Sequence, residues 1–146
     1  MSWARCAAVA FVLNLSWEMA QMPLFHGIGG RSFWATLLPC SRAALFDVAV
    51  TIAVAIPFMA LVRRHPASAW PWIGMLATGV VVALAIESAG IRGGRWAYTA
   101  EMPIVPAFRL GVVPVLQMAL VPPLSAWLAL RPRRRRMEKA RHGSGV

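Results

Sequence analysis

Apolar residues along this chain fall into four long runs, separated by short breaks rich in charge, glycine or proline. A helix rises 1.5 Å per residue, so about 20 apolar residues cross a hydrocarbon core of about 30 Å. Four runs meet that length. The first extends from about Trp3 to Phe25 and ends at Pro23 and the Gly27-Ile-Gly-Gly30 breaker. The second extends from about Ala43 to Val62 and is closed by Arg63-Arg-His-Pro66. The third covers about Trp70 to Ala89, closed by Gly90 and Gly93-Gly94, and the fourth about Leu110 to Leu130, closed by Arg131-Pro132. The expected fold is all-α, an integral membrane four-helix bundle.

The stretch Ile91–Arg109 is too interrupted by glycine and proline to span. Its aromatic and apolar residues predict that it lies at the interface or dips back into the bundle. In the third run Gly79 and Ala83 are four residues apart, a spacing that lets helix backbones approach closely. Pro114 and the Pro122-Pro123 pair predict kinks in the fourth.

Composition agrees with this pattern. Of the 146 residues, 59% are hydrophobic and 14% charged, against about a quarter charged in soluble domains. The net charge of +10 would suit nucleic acid if it were spread over a folded surface. Instead, seven of the fifteen basic residues follow Leu130. A basic run directly after an apolar helix anchors topology and contacts anionic lipid head groups. Residues 1–130 are therefore expected to form the transmembrane domain, and residues 131–146 a basic, disordered cytoplasmic tail. No nucleic-acid partner is expected.

With four spans, the N-terminus, the second-to-third connection and the tail share one side, which carries ten Lys and Arg. The other side carries five: Arg31, Arg42, Arg92, Arg95 and Arg109. The positive-inside rule places both termini in the cytoplasm, and the protein in the cytoplasmic (inner) membrane. The N-terminal run is read as a retained helix. It is about twice the length of a signal-peptide core, holds Asn14, Glu18 and Gln21, and lacks a small-residue cleavage site. Cys6 and Cys40 fall near opposite faces, roughly 25–30 Å apart, so no disulfide joins them within one chain.

The acids carry the functional signal. Apart from Glu138 in the tail they are Glu18, Asp47, Glu87 and Glu101, from the first, second and third helices and the last loop. On this topology all four lie toward the outer side. An intramembrane ionisable residue costs roughly 2.5–3.5 kcal/mol on insertion scales and is by default functional. Asn14, Glu18 and Gln21 share one helix face at i, i+4 and i+7. Trp17 and Gln21 are four apart, as are Asp47 and Thr51. On the fourth helix Arg109 and Gln117 are eight apart, roughly two turns, and share a face, and Arg109 is the expected partner of Glu87 or Asp47, since a buried carboxylate needs one. His26 and Tyr98 are expected to cap the layer.

The competing structural reading is that these groups simply satisfy one another. Interhelical hydrogen bonds in membranes contribute about 0.5–2 kcal/mol each. Met19, Met22 and His26 also share a face and would suit Cu(I), but Pro23 interrupts that helix and methionine is common in apolar cores. Neither a zinc pattern, nor a phosphate-binding glycine loop, nor GxSxG is present, so no metal or cofactor is assigned.

Two stretches, Asn14-Leu-Ser-Trp-Glu-Met-Ala-Gln-Met-Pro-Leu-Phe25 and Arg95-Trp-Ala-Tyr-Thr-Ala-Glu-Met-Pro103, resemble a family of small polytopic bacterial membrane proteins. A looser resemblance, over about a third of the chain, is to lycopene cyclase-type carotenoid enzymes. Those carry an acid, a spacer and a Trp-x-Tyr-like pair, then a Gly-x-x-Pro-x-Glu-Glu segment opening the next helix. Here Glu87 with Trp96-Ala-Tyr98 is similar to the first part, and Gly111-Val-Val-Pro114-Val-Leu-Gln117 to the second. The glutamate pair, which in that family supplies the proton chemistry, is missing. The resemblance carries over only to Glu87, Trp96 and Tyr98.

Together these readings predict an acid pocket in the outer half of the bundle, roofed by the Trp96–Met102 loop. Glu18, Glu87 and Asp47 are the candidate catalytic groups. Asn14, Trp17, Gln21, Trp96, Tyr98, Glu101, Arg109 and Gln117 are the candidate binding groups. The leading expectation is an enzyme or binding protein for a lipophilic, isoprenoid-like substrate: a neutral carboxylic acid can protonate an alkene, and aromatic faces stabilise the cation. The alternatives are a proton- or ion-coupled transporter, which at this length would work as a homo-oligomer, and a non-catalytic subunit or assembly factor.

Overall fold

The computed structural model describes residues 2–27 and 31–131. The basic tail beyond Arg131, with its expected disorder and lipid head-group contacts, lies outside the described residues. Four helices account for most of the chain: α1 (Trp3–Gln21), α2 (Phe33–Arg64), α3 (Trp70–Arg92) and α4 (Val112–Leu130). The only strands among the described residues, β1 (Ile104–Val105) and β2 (Leu110–Gly111), form a small antiparallel hairpin in the α3–α4 connection. The fold is all-α.

Local chemistry explains most of the boundaries. Ser2 caps α1 by accepting from the Arg5 amide, and Pro23 then turns the chain into a single 3₁₀ turn, Met22–Leu24. The helix therefore stops at Gln21 rather than Phe25. Pro71 sits in the first turn of α3, where its missing N–H is not needed, and Gly93 ends that helix. The largest departure from the sequence reading is α2, which starts ten residues earlier than Ala43. Ser32 is its cap, with Oγ accepting from Ala35 N at 3.3 Å. Pro39 and Pro57 are carried inside the helix. At 32 residues, α2 is about 48 Å long and runs roughly three turns past the end of α1. Asp47 consequently sits near the middle of its helix, not at its start.

Helices adjacent in sequence pack together, and α4 closes the ring against α1. α1 runs antiparallel to α4, since Arg5 bonds Arg131 while Gln21 bonds Gln117, and to α2, since Asn14 bonds Thr51 while Glu18 and Asp47 meet at Gln117. α2 and α4 also meet across the short diagonal, leaving α1 and α3 at opposite corners. α3 and α4 approach closely at Gly79. A Cβ at Gly79 would collide with the Met118 carbonyl, so only glycine permits this separation.

The bundle is chemically divided along its length. The end holding the start of α1 and the end of α4 contains a dry core of Val54, Ala55, Met59, Val62, Met75 and Ala126, with Phe58 and Trp72 packed against it. There Arg5 Nη1 donates to the Arg131 carbonyl at 2.7 Å, while the Arg131 guanidinium lies 3.5 Å over the Trp127 ring. The opposite half holds the polar layer. Around the outside, large apolar side chains face outward from every helix, among them Val12, Leu45, Ile56, Val81 and Leu120. Water would penalise such a surface, whereas lipid does not.

α2, α3 and α4 are each long and apolar enough to cross a membrane. α1 is 19 residues long but less apolar, because Asn14, Glu18 and Gln21 occupy its inward face. The chain is a multi-pass membrane protein by the length and composition of these helices.

Candidate functional site

Each helix contributes an inward polar side chain at the same level: Asn14, Glu18 and Gln21 from α1, Asp47 and Thr51 from α2, Glu87 from α3 and Gln117 from α4. All are buried. The i, i+4, i+7 spacing on α1 and the i, i+4 spacing on α2 bring their groups to one face, as the sequence implies.

Gln117 is the hub. Its Nε2 lies 2.9 Å from Asp47 Oδ2, 3.1 Å from Glu18 Oε1 and 3.1 Å from Asn14 Oδ1. Its Oε1 accepts from Gln21 Nε2 at 3.1 Å, and that nitrogen also donates to Glu18 Oε1 at 2.8 Å. Asn14 Nδ2 reaches Thr51 Oγ1 at 3.4 Å. Gln117 Nε2 thus draws the Glu18 and Asp47 carboxyls, from two different helices, toward one nitrogen.

Glu87 is held differently. Its Oε2 accepts from the Tyr98 hydroxyl and, at 3.3 Å, from Trp96 Nε1. Both donors come from the α3–α4 connection, which is itself anchored to the end of α1. His26 N donates to the Ala97 carbonyl at 2.9 Å and Thr99 N to the Leu24 carbonyl at 3.0 Å, forming a bridge between Phe25 and Tyr98. The Phe25 and Tyr98 rings meet edge to face, 5.6 Å apart. Trp96 lies on Gly90, where any Cβ would collide with the indole. Burial, then the neighbouring Glu87 carboxyl, push the Tyr98 phenol well above its usual range, so it remains a donor.

Between Glu87 and the Glu18–Asp47 pair lies a cavity of ≈ 50 Å³, lined also by Gln21, Gln117 and the apolar Ala83, Ile86, Pro114 and Met118. That volume holds a few waters, at about 10–15 Å³ each, and is far below the roughly 300–1,000 Å³ of a drug-sized ligand pocket. The polar layer is thus mostly paired side chains around a small cavity. Ile86, Pro114 and Met118 carry no chemical signal in the sequence and become part of the site only through packing.

Four candidate residues lie elsewhere. Arg109 is exposed at the turn between β1 and β2, with φ 56°, and pairs with neither Glu87 nor Asp47. The expected shared face with Gln117 requires one helix through both positions, and α4 begins only at Val112. Glu101 is exposed on the loop. His26 is also exposed, contributing its backbone rather than its ring. Trp17 is half-buried, and its Nε1 has no partner among the described residues. Every described Arg and His is exposed, so no cation from those residues compensates the three buried acids.

Comparison with known proteins found no matching family model, curated protein or solved structure.

Proposed function

We propose that the chain is a membrane enzyme or binding protein that performs acid–base chemistry on a lipophilic, isoprenoid-like substrate, with Glu87 and Glu18 as the principal acids and Asp47 as the partner of Glu18. The observation that carries this reading is the meeting of Glu87, Trp96 and Tyr98 in one hydrogen-bonded unit at the edge of the cavity. These are the three residues on which the lycopene cyclase-type resemblance rests, and they lie 9 and 11 residues apart in sequence. The cavity admits the reacting segment of a chain rather than a whole lipid, and the outward-facing apolar surfaces of α3 and α4 would carry the remainder. The apolar core below the acids weighs against a conduit, since beside that cluster the buried polar side chain is Ser125, which carries no ionisable group. The inner-membrane location and cytoplasmic termini belong to this reading through the distribution of basic residues.

Mass spectrometry of lipids retained by the purified protein is the test. The expected result is one enriched isoprenoid, into which protein incubated in heavy water introduces deuterium, with incorporation lost in Glu87→Gln and Glu18→Gln. A lipid profile indistinguishable from bulk membrane, in the native chain and in both variants, overturns the proposal.

A further inference from the structure

The apolar end of the bundle carries cations without anions. Arg5, Arg63, Arg64 and Arg131 are exposed there, whereas the described acids lie in the polar layer or on the α3–α4 connection. Two of these cations are held in place by neutral groups. Arg5 Nη1 donates to the Arg131 carbonyl at 2.7 Å. The Arg131 amide donates to the Trp127 carbonyl at 3.2 Å, and its guanidinium stacks 3.5 Å over the Trp127 ring. Neither contact cancels charge. The remaining N–H groups of both guanidiniums have no side-chain or backbone acceptor among the described residues.

This pair sits at the head of an apolar stripe. Leu120, Leu124 and Trp127 recur at i, i+4 and i+7 on α4, so they share a face, and all three are exposed. The stripe ends under the Arg131 guanidinium. α4 has 19 residues and is about 28 Å long, close to the roughly 30 Å of a hydrocarbon core. Its last turn therefore lies at head-group depth, where Trp3 of α1 is exposed as well.

We propose that Arg5 and Arg131 bind one phospholipid with a net negative head group, its phosphate held between the two guanidiniums and an acyl chain laid along Leu120, Leu124 and Trp127. A guanidinium fork matches phosphate oxygens with two parallel hydrogen bonds, and it can stack on an aromatic ring while its donating edge stays outward. Basic clusters beside transmembrane helices attract anionic head groups. A zwitterionic head group is the poorer occupant, because it brings a further cation to a cluster without an anion. The site uses no residue of the polar layer and is independent of the acid–base reading.

The test is native mass spectrometry of the full chain released from detergent with equal amounts of phosphatidylglycerol and phosphatidylcholine of matched chains. The expected result is one phosphatidylglycerol retained per chain, favoured about tenfold or more over phosphatidylcholine. The preference should vanish when Arg5→Gln and Arg131→Gln are combined. It should survive Arg63→Gln with Arg64→Gln, which removes the same charge from the same end. No preference in the native chain overturns the proposal, as does a preference that the first pair keeps, or an equal loss in both pairs. Since Arg5 also ties α1 to α4, a second measurement uses the native chain alone. Phosphatidylglycerol with a diazirine in its acyl chain should cross-link to the Leu120–Trp127 stretch of α4 above the other helices, and cross-links spread evenly over all four overturn the site. Retained phosphatidylglycerol without an enriched isoprenoid would uphold this site while the acid–base reading fails, and an isoprenoid alone would do the reverse.

Discussion

Tyr98 donates its hydroxyl to the Glu87 carboxyl, fastening the α3–α4 connection to the polar layer. The acceptor is buried, and the bond is worth about 1.5 kcal/mol, where the ranges for neutral and charged partners meet. Tyr98→Phe is expected to lower the thermal midpoint in detergent by about 3–6 °C, at about 2–4 °C per kcal/mol for a chain of this size. Trp34→Phe, a change at an exposed position, should leave it unmoved.

Gln117 is the side chain the polar layer can least spare. Its amide bridges α1, α2 and α4, and among the described residues no other side chain donates to Asp47 Oδ2. Gln117→Leu is expected to cost about 3–5 kcal/mol, because the partners remain buried with their hydrogen bonds broken. Thermal unfolding and expression level check this. Leu120→Ala, on the outward side of α4, should cost under 1 kcal/mol in comparison.

Gly90 and Trp96 should prove energetically coupled. A Cβ at residue 90 occupies the place of the indole, so Gly90→Ala displaces Trp96 and breaks its bond to Glu87. Gly90→Ala and Trp96→Leu should each destabilise, yet the double variant should be milder than the sum by about 1 kcal/mol or more. A double-mutant cycle of midpoints measures this, and strict additivity would contradict the packing.

How much of this was readable beforehand depended on whether a position's role is periodic or three-dimensional. The inward stripe of α1 was legible because Asn14, Glu18 and Gln21 interrupt an apolar run at helical spacing, and three-residue and four-residue steps define a face. The Gly79 contact was legible for the same reason. The start of α2 was not, because Arg31, Pro39, Ser41 and Arg42 look like a connection. Ser32 capping, with Thr36 Oγ1 bonding back to the Phe33 carbonyl at 2.8 Å, lets the helix run through them. Arg109 was misjudged by extending the α4 periodicity back through residues that instead form a hairpin. The pairing of Gln117 with acids from two other helices has no local signature, since it is fixed by how the bundle closes. One overlooked signal was Gly90, three residues after Glu87, marking where an aromatic ring would lie against α3.

Topology gives the last prediction. The α2–α3 connection lies at the dry end of the bundle with Arg63 and Arg64, and the α3–α4 connection at the acid end with Arg92 and Arg95. Spanning helices put these ends in opposite compartments, and the positive-inside assignment puts the acid end outside. Ala67 and Ala100 are both exposed in those connections, while the native thiols Cys6 and Cys40 are buried. In right-side-out vesicles a membrane-impermeant maleimide should therefore label Ala100→Cys and leave Ala67→Cys unlabelled until the membrane is opened. Labelling in the reverse order would invert the bundle and place the Glu18, Asp47 and Glu87 layer in the cytoplasmic leaflet. Equal labelling before permeabilisation would contradict the spanning arrangement itself.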